Sequence, residues 1–265
     1  MKRVIFLLCI ALTLTTCDKN DNVVLLFSVQ DDLDLGAQVS KEIENDPQYD
    51  ILPRTQYPEA YSYLDSIVDA ILNSGEVAYR DEFEWDVHIL HDDETLNAFA
   101  TPGGFIYVYT GLIKYLNSAD ALAGVLGHEI AHADLRHTSR NLQKTYGIQI
   151  LLSLLVGENA STLETIAAQI AGTAAGLKFS RDYETEADEK SVVYLAKTGF
   201  ACDGAKIFFE QLEASGQTGG TPEFLSTHPS PDNRIENIEK TAAEEDCNTT
   251  PSGGSGYAQF KADLP

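Results

Sequence analysis

Gly127-His128-Glu129-Ile130-Ala131-His132 sets two imidazoles four residues apart, with a carboxylate directly after the first. On a helix, residues four apart differ by about 40° around the axis, so both rings leave the same side one turn apart. Two imidazole nitrogens at that spacing can share one zinc ion. Glu129 is rotated about 100° from His128, which lets it reach a water at the metal without joining the ligand set. Chance occurrence of this pattern with six histidines in 265 residues is on the order of one in a hundred. The competing reading is a core or solvated helix that happens to carry two histidines.

A catalytic zinc needs a third protein ligand and an open fourth position. His137 lies nine residues past His128, about 900° of rotation, and so on the opposite side if the helix continues. That geometry excludes it. Downstream, Phe179-Ser180-Arg181-Asp182-Tyr183-Glu184-Thr185-Glu186-Ala187-Asp188 puts Glu184 and Asp188 four apart on a predicted helix, facing one side. A two-His, one-Glu site would take Glu184 as its ligand. Asp188 would accept a hydrogen bond from a ligating imidazole and fix its tautomer. Glu186 projects elsewhere, toward solvent. His88 and His91 sit on or beside a predicted strand without ligand spacing, as bystanders.

The elements that must position these residues follow from periodicity and capping. Ser118 as N-cap with Asp120 in the first turn starts the helix that carries the histidines. From Ser118 the chain reads as mainly helical to about residue 243, with a loop from about 215 to 231. Upstream, helices are predicted over 33–44 and 60–72, the second ended by Asn73-Ser74-Gly75. Strands are predicted over 85–90 and 105–109, with a short strand at 97–100 broken by Thr101-Pro102-Gly103-Gly104. Residues 23–29 read as a strand or a docked arm. The apolar run 148–156 is too short to span a membrane and reads as a buried helix. The Ala-rich stretch 166–177, with Gly172 and Gly176, reads as close-packed core. The fold class is α+β, mainly helical, with a small sheet.

Composition narrows the partners. Eighteen Lys and Arg against 41 Asp and Glu leave a net charge of −23. That argues against nucleic acid and against a polybasic membrane patch, both of which need clustered cations. With 43% hydrophobic and 22% charged residues the chain is an ordinary globular one. Met1-Lys2-Arg3 followed by the apolar run 4–14 suits an export signal. Leu14-Thr15-Thr16-Cys17 then reads as a bacterial lipoprotein signal that leaves Cys17 as a lipidated N-terminus. A plain secretory signal is the alternative. Export would make Cys202 and Cys247 a disulfide pair closing a loop of about 45 residues, worth roughly 4 kcal/mol. Two buried free thiols are the other reading. The expected organisation is a signal peptide at 1–16, a lipidated tether at 17–22, one domain at 23–245 and a flexible tail at 246–265.

His128 through His132 continuing to Arg136-His137, then Ser180-Arg181 through Glu184 to Asp188, resembles the zinc metallopeptidase family of HtpX and the CAAX prenyl proteases. More narrowly the chain is similar to that family's soluble periplasmic lipoprotein branch. Asn97-Ala98-Phe99-Ala100 with Pro102-Gly103-Gly104, and Thr227-His228-Pro229-Ser230-Pro231-Asp232-Asn233-Arg234, also match its recurring segments. The resemblance covers roughly residues 30–243, with four separated motifs in order. It implies a zincin-like metallopeptidase domain with an edge strand beside the H-E-x-x-H helix. It implies one Zn2+ per chain on His128, His132 and Glu184, Glu129 as general base, and Asn97, Ala98, Phe99 and Ala100 pairing with an extended polypeptide substrate. His228 would stabilise the oxyanion in catalysis, cover the zinc in a resting state, or serve only as structure in a loop held by Arg234. The implied function is a metalloendopeptidase acting on unfolded or misassembled cell-envelope proteins. The implied placement is periplasm-facing in a bacterial envelope, lipid-anchored to the outer membrane through Cys17. A chaperone-like assembly factor with a latched zinc site is the alternative. Oligomeric state stays open.

Overall fold

The computed structural model of the chain describes residues 24–172, 177–215, 223–229, 233–253 and 256–265. The expected signal, the tether with Cys17, and Gly176 lie outside them.

Residues 24–28 form an irregular arm, pinned where Gln143 donates to the Val24 carbonyl at 2.9 Å and accepts from the Leu26 amide at 2.8 Å. A capping box follows. Ser28 Oγ accepts from the Asp31 amide at 3.1 Å, and Asp31 accepts from the Ser28 amide at 2.7 Å. It starts helix α1 (Val29–Asn45), which buries Leu35, Val39 and Ile43 at helical spacing. Helix α2 (Pro58–Leu72) begins on a proline, where a missing N–H costs nothing.

Three strands come next: β1 (Val87–Leu90), β2 (Ala98–Ala100) and β3 (Ile106–Tyr109). Their order is β1-β3-β2, with β3 parallel to β1 and antiparallel to β2 in the register Phe99↔Tyr107. Gly103, at φ 75°, takes the left-handed turn that folds β2 back onto β3.

The remainder is helical: α3 (Thr110–Tyr115), α4 (Ala119–Asp134), α5 (His137–Tyr146), α6 (Ile148–Leu155), α7 (Ala160–Ile170), α8 (Arg181–Leu195), α9 (Gly204–Ala214), α10 (Glu223–Thr227), α11 (Arg234–Glu244) and α12 (Tyr257–Ala262). Ser118 caps α4, accepting from the Ala121 amide at 3.2 Å. Every residue of α4 is buried, so this helix runs through the middle of the molecule. It packs on α8 and α9. Its closest approach is at Gly124, where an added Cβ would stand 2.0 Å from the Ala205 amide nitrogen of α9. The architecture is the expected mainly helical α+β class. A disulfide joins Cys202, before α9, to Cys247, after α11, with Cα atoms 6.2 Å apart.

Three expectations change. The run 148–156 is a half-buried helix: α6 buries Leu151 and Leu154 but exposes Ile150 and Leu152, as does Val156 just after it. Among the described residues no single helix is long and apolar enough to cross a membrane; α6 and α7 pass that test only as a pair bent by 107°. The expected flexible tail instead ends in α12, because Tyr257 and Phe260 supply an apolar face that α2 covers. Both are buried, and Phe260 stacks on Tyr63 of α2 at 4.8 Å. The expected loop at 215–231 contains α10.

Candidate metal centre

Helices α4 and α8 carry the predicted site. On α4, His128 and His132 bring their Nε2 atoms to 3.0 Å. On α8, whose N-cap Ser180 accepts from the Tyr183 amide at 3.2 Å, Glu184 lies one turn in. Glu184 Oε2 is 3.4 Å from His128 Nε2, and Oε1 is 3.4 Å from His132 Nε2. One turn further, Asp188 Oδ1 lies 2.9 Å from His128 Nδ1. Glu129 is buried beside them with neither carboxylate oxygen hydrogen-bonded among the described residues. A fourth donor arrives after α10: His228 Nδ1 is 3.3 Å from His128 Nε2 and 3.1 Å from Glu184 Oε1.

The donor set fits a divalent metal. One atom each from His128, His132, Glu184 and His228 lie within 4.8 Å of one another. A tetrahedral zinc with bonds near 2.0–2.1 Å places its ligand atoms roughly 3.3 Å apart, close to the 3.0–3.4 Å between neighbouring donors here. Charge points the same way. Glu129, Glu184 and Asp188 are buried carboxylates around a single buried guanidinium, Arg234, an excess of acidic groups that a bound cation would offset. Burial opposes charging His128, but Asp188 and Glu184 outweigh it and raise its pKa to about 9. Burial would raise the Glu184 pKa, yet His228 and the two α4 histidines hold it well below the carboxylate range. Burial pushes Glu129 up.

Asn97, Ala98, Phe99 and Ala100 lie beside this cluster, with β2 an edge of the sheet next to α4. Part of that edge is taken by the chain itself. The Phe224 amide donates to the Leu96 carbonyl at 3.1 Å, and Thr138 Oγ1 donates to the Ala100 carbonyl at 3.3 Å. His88 and His91 stay away from the cluster, paired with Asp86 and Asp50.

Two features escaped sequence reasoning. Arg234 does more than hold a loop: it forks onto Asp188 with bonds of 2.7 and 2.8 Å and stands 3.1 Å from Glu184. His137 was excluded on the premise of an unbroken helix, but α4 ends at Asp134 and Arg136 turns the chain through a left-handed φ of 58°. His137 then reaches back toward His132, with Nδ1 atoms 3.1 Å apart. Its other nitrogen lies 3.2 Å from Glu186, which is therefore engaged as well as half-exposed. Nothing local signals that turn, since arginine is a poor left-handed residue. Distant contacts hold it, with the Arg136 guanidinium bonding Asp32 and the Phe27 and Ser28 carbonyls.

Residues 58–242 match peptidase family M48, and the chain belongs to that family. It is 30% identical over 211 residues to the mitochondrial metalloendopeptidase OMA1 of Schizosaccharomyces pombe, covering 79% of this chain and 60% of that protein. The corresponding protein of Saccharomyces cerevisiae is 30% identical over 225 residues, covering 79% and 63%. The beta-barrel assembly-enhancing protease of Yersinia pestis is 31% identical over 175 residues, covering 62% and 36%. The chain thus spans under two thirds of each relative's length. The family and these names support a metalloprotease. They also overturn the expected bacterial, lipid-anchored, outer-membrane placement, because relatives that match most of the chain are mitochondrial by name. The same catalytic domain serves in different compartments, so resemblance in the site carries no address.

Proposed function

We propose that the chain is a zinc-dependent metalloendopeptidase that hydrolyses peptide bonds in unfolded or misassembled polypeptides. The observation that carries this is the two-His, one-Glu donor cluster with the buried Glu129 carboxylate, which accepts no hydrogen bond among the described residues, at its side.

His128, His132 and Glu184 would hold the zinc ion, which when bound would supply Lewis acidity toward the scissile carbonyl and the water. The residues do the rest. Asp188 holds His128 by its Nδ1–H, which leaves the Nε2 lone pair facing the cluster. Glu129 takes the proton of the attacking water and passes it to the leaving amine nitrogen. Its buried carboxylate, raised in pKa and accepting no hydrogen bond among the described residues, suits both steps. The edge strand β2 would pair through its main chain with an extended substrate, which gives affinity with little sequence preference.

The test compares wild type with Glu129→Gln for bound zinc and for cleavage of casein. The variant keeps its zinc and loses cleavage; retained cleavage overturns the mechanism. His228 supports a second reading. It stands where the fourth ligand would, so the resting site is latched and the protein is an assembly or quality-control factor whose proteolysis is gated.

A further inference from the structure

His132 has two ring nitrogens in two different settings. Nε2 faces the donor cluster, 3.0 Å from His128 Nε2 and 3.4 Å from Glu184 Oε1. Nδ1 faces away, 3.1 Å from His137 Nδ1. Two imidazole nitrogens bond at that distance only when one carries a proton and the other does not. If His137 were the donor, the single proton of neutral His132 would sit on Nε2 and block the metal. If His132 is the donor, Nε2 is free, and His137 must keep its own proton on Nε2. That nitrogen lies 3.2 Å from Glu186 Oε2, and a carboxylate only accepts.

We propose that Glu186, acting through His137, fixes the proton of His132 on Nδ1 and thereby holds the Nε2 lone pair of His132 for the metal. His137 and Glu186 are positioning residues. The two ligating imidazoles are thus oriented by different means: His128 directly by Asp188 at 2.9 Å, His132 through an intervening imidazole. The rings are held in plane by stacking. Tyr183 lies against His137 at 4.2 Å and 10°, and Phe179 against His132 at 4.0 Å and 29°. His137 is 1% exposed, whereas the Glu186 side chain is 53% exposed. The carboxylate can therefore be changed without opening the core.

This inference rests on the metal reading of His132, and the experiment separates the two. Zinc affinity is measured by competition with a chelator for wild type, H137F, H137N, E186A and E186Q. Losing an outer hydrogen-bond partner of a ligand typically costs about 10–100-fold in metal affinity. H137F, which keeps the stacking and removes the acceptor, falls in that range. H137N presents an amide oxygen near the position of Nδ1 and recovers most of the loss. E186A weakens binding, while E186Q, still an acceptor, stays near wild type. Thermal midpoints of the metal-free E186A and E186Q chains match wild type, which a merely structural role would not require. Wild-type zinc affinity in both H137F and E186A, or H137N no better than H137F, overturns the inference alone. A wild-type chain that binds no zinc overturns the metal reading together with it.

Discussion

His228 Nδ1 lies 3.3 Å from His128 Nε2, although a hundred residues separate them in the chain. In the proposed zinc site, His228 would stand in the position a zinc peptidase keeps open for water and substrate. It is supported from behind by Phe224, whose ring stacks on His228 at 4.4 Å and 16°. A latch that leaves a tenth of the molecules competent lowers apparent activity by about tenfold. His228→Ala therefore raises casein cleavage by roughly that factor at saturating zinc. A fall in cleavage would instead assign His228 to the oxyanion.

Arg234 is the one buried guanidinium among the described residues of the site, and it pairs with both Asp188 and Glu184. Removing one partner from a buried ionic cluster costs roughly 3–5 kcal/mol, because the charges left behind stay buried. Arg234→Met lowers the urea midpoint of the metal-free chain accordingly. Arg234→Lys recovers only part of the loss, since an ammonium cannot fork onto Asp188. Equal stability of Arg234→Met and wild type would refute the charge accounting.

The chemistry at this centre was legible because helices turn spacing into direction. A 3.6-residue period puts His128 with His132 on one face of α4 and Glu184 with Asp188 on one face of α8, and the packing of the two helices brings the pairs together. Residues 33–44, 60–72 and the strand at 97–100 were legible for the same local reasons. What could not be read depends on contacts far apart in sequence. The break after Asp134 rests on Arg136 reaching Asp32 and the Phe27 carbonyl. Without that break His137 cannot touch His132. Helix α12 was hidden by the Thr, Ser, Gly and Pro before it, and orders because Phe260 finds Tyr63.

At the far end of the sheet, Asp93 accepts from Lys114 at 2.6 Å and from Thr110 at 2.7 Å, and these two bonds hold its carboxyl below the ordinary value of 3.8. A depressed folded pKa means that the unfolded chain binds the proton more readily. The stabilisation is complete above that ordinary value and disappears as pH falls through the folded pKa. The side chain is 46% exposed, so screening limits the effect to a few tenths of a kcal/mol. Asp93→Asn is slightly less stable than wild type in urea at neutral pH and indistinguishable from it near the acid limit. A difference that grows on acidification would contradict the pairing.

Two glycines predict opposite signs for the same substitution. Within a helix, Gly→Ala gains about 1 kcal/mol of propensity. At Gly124 the new Cβ would stand 2.0 Å from the Ala205 nitrogen and 2.3 Å from the Gly204 carbonyl carbon, both backbone atoms of the α9 segment. Backbone cannot swing aside as a side chain can, and overpacking of this kind costs about 1–3 kcal/mol or more. The clash wins, so Gly124→Ala lowers the thermal midpoint. It also prises α4 from α9, which moves the histidines relative to α8 and lowers cleavage. Gly199 has open space around its Cβ position and no left-handed φ, so Gly199→Ala is neutral or stabilises by up to about 1 kcal/mol through the unfolded chain. Calorimetry on the two variants checks the pair. A Gly124→Ala midpoint at or above that of Gly199→Ala would show that α4 and α9 are not packed this closely.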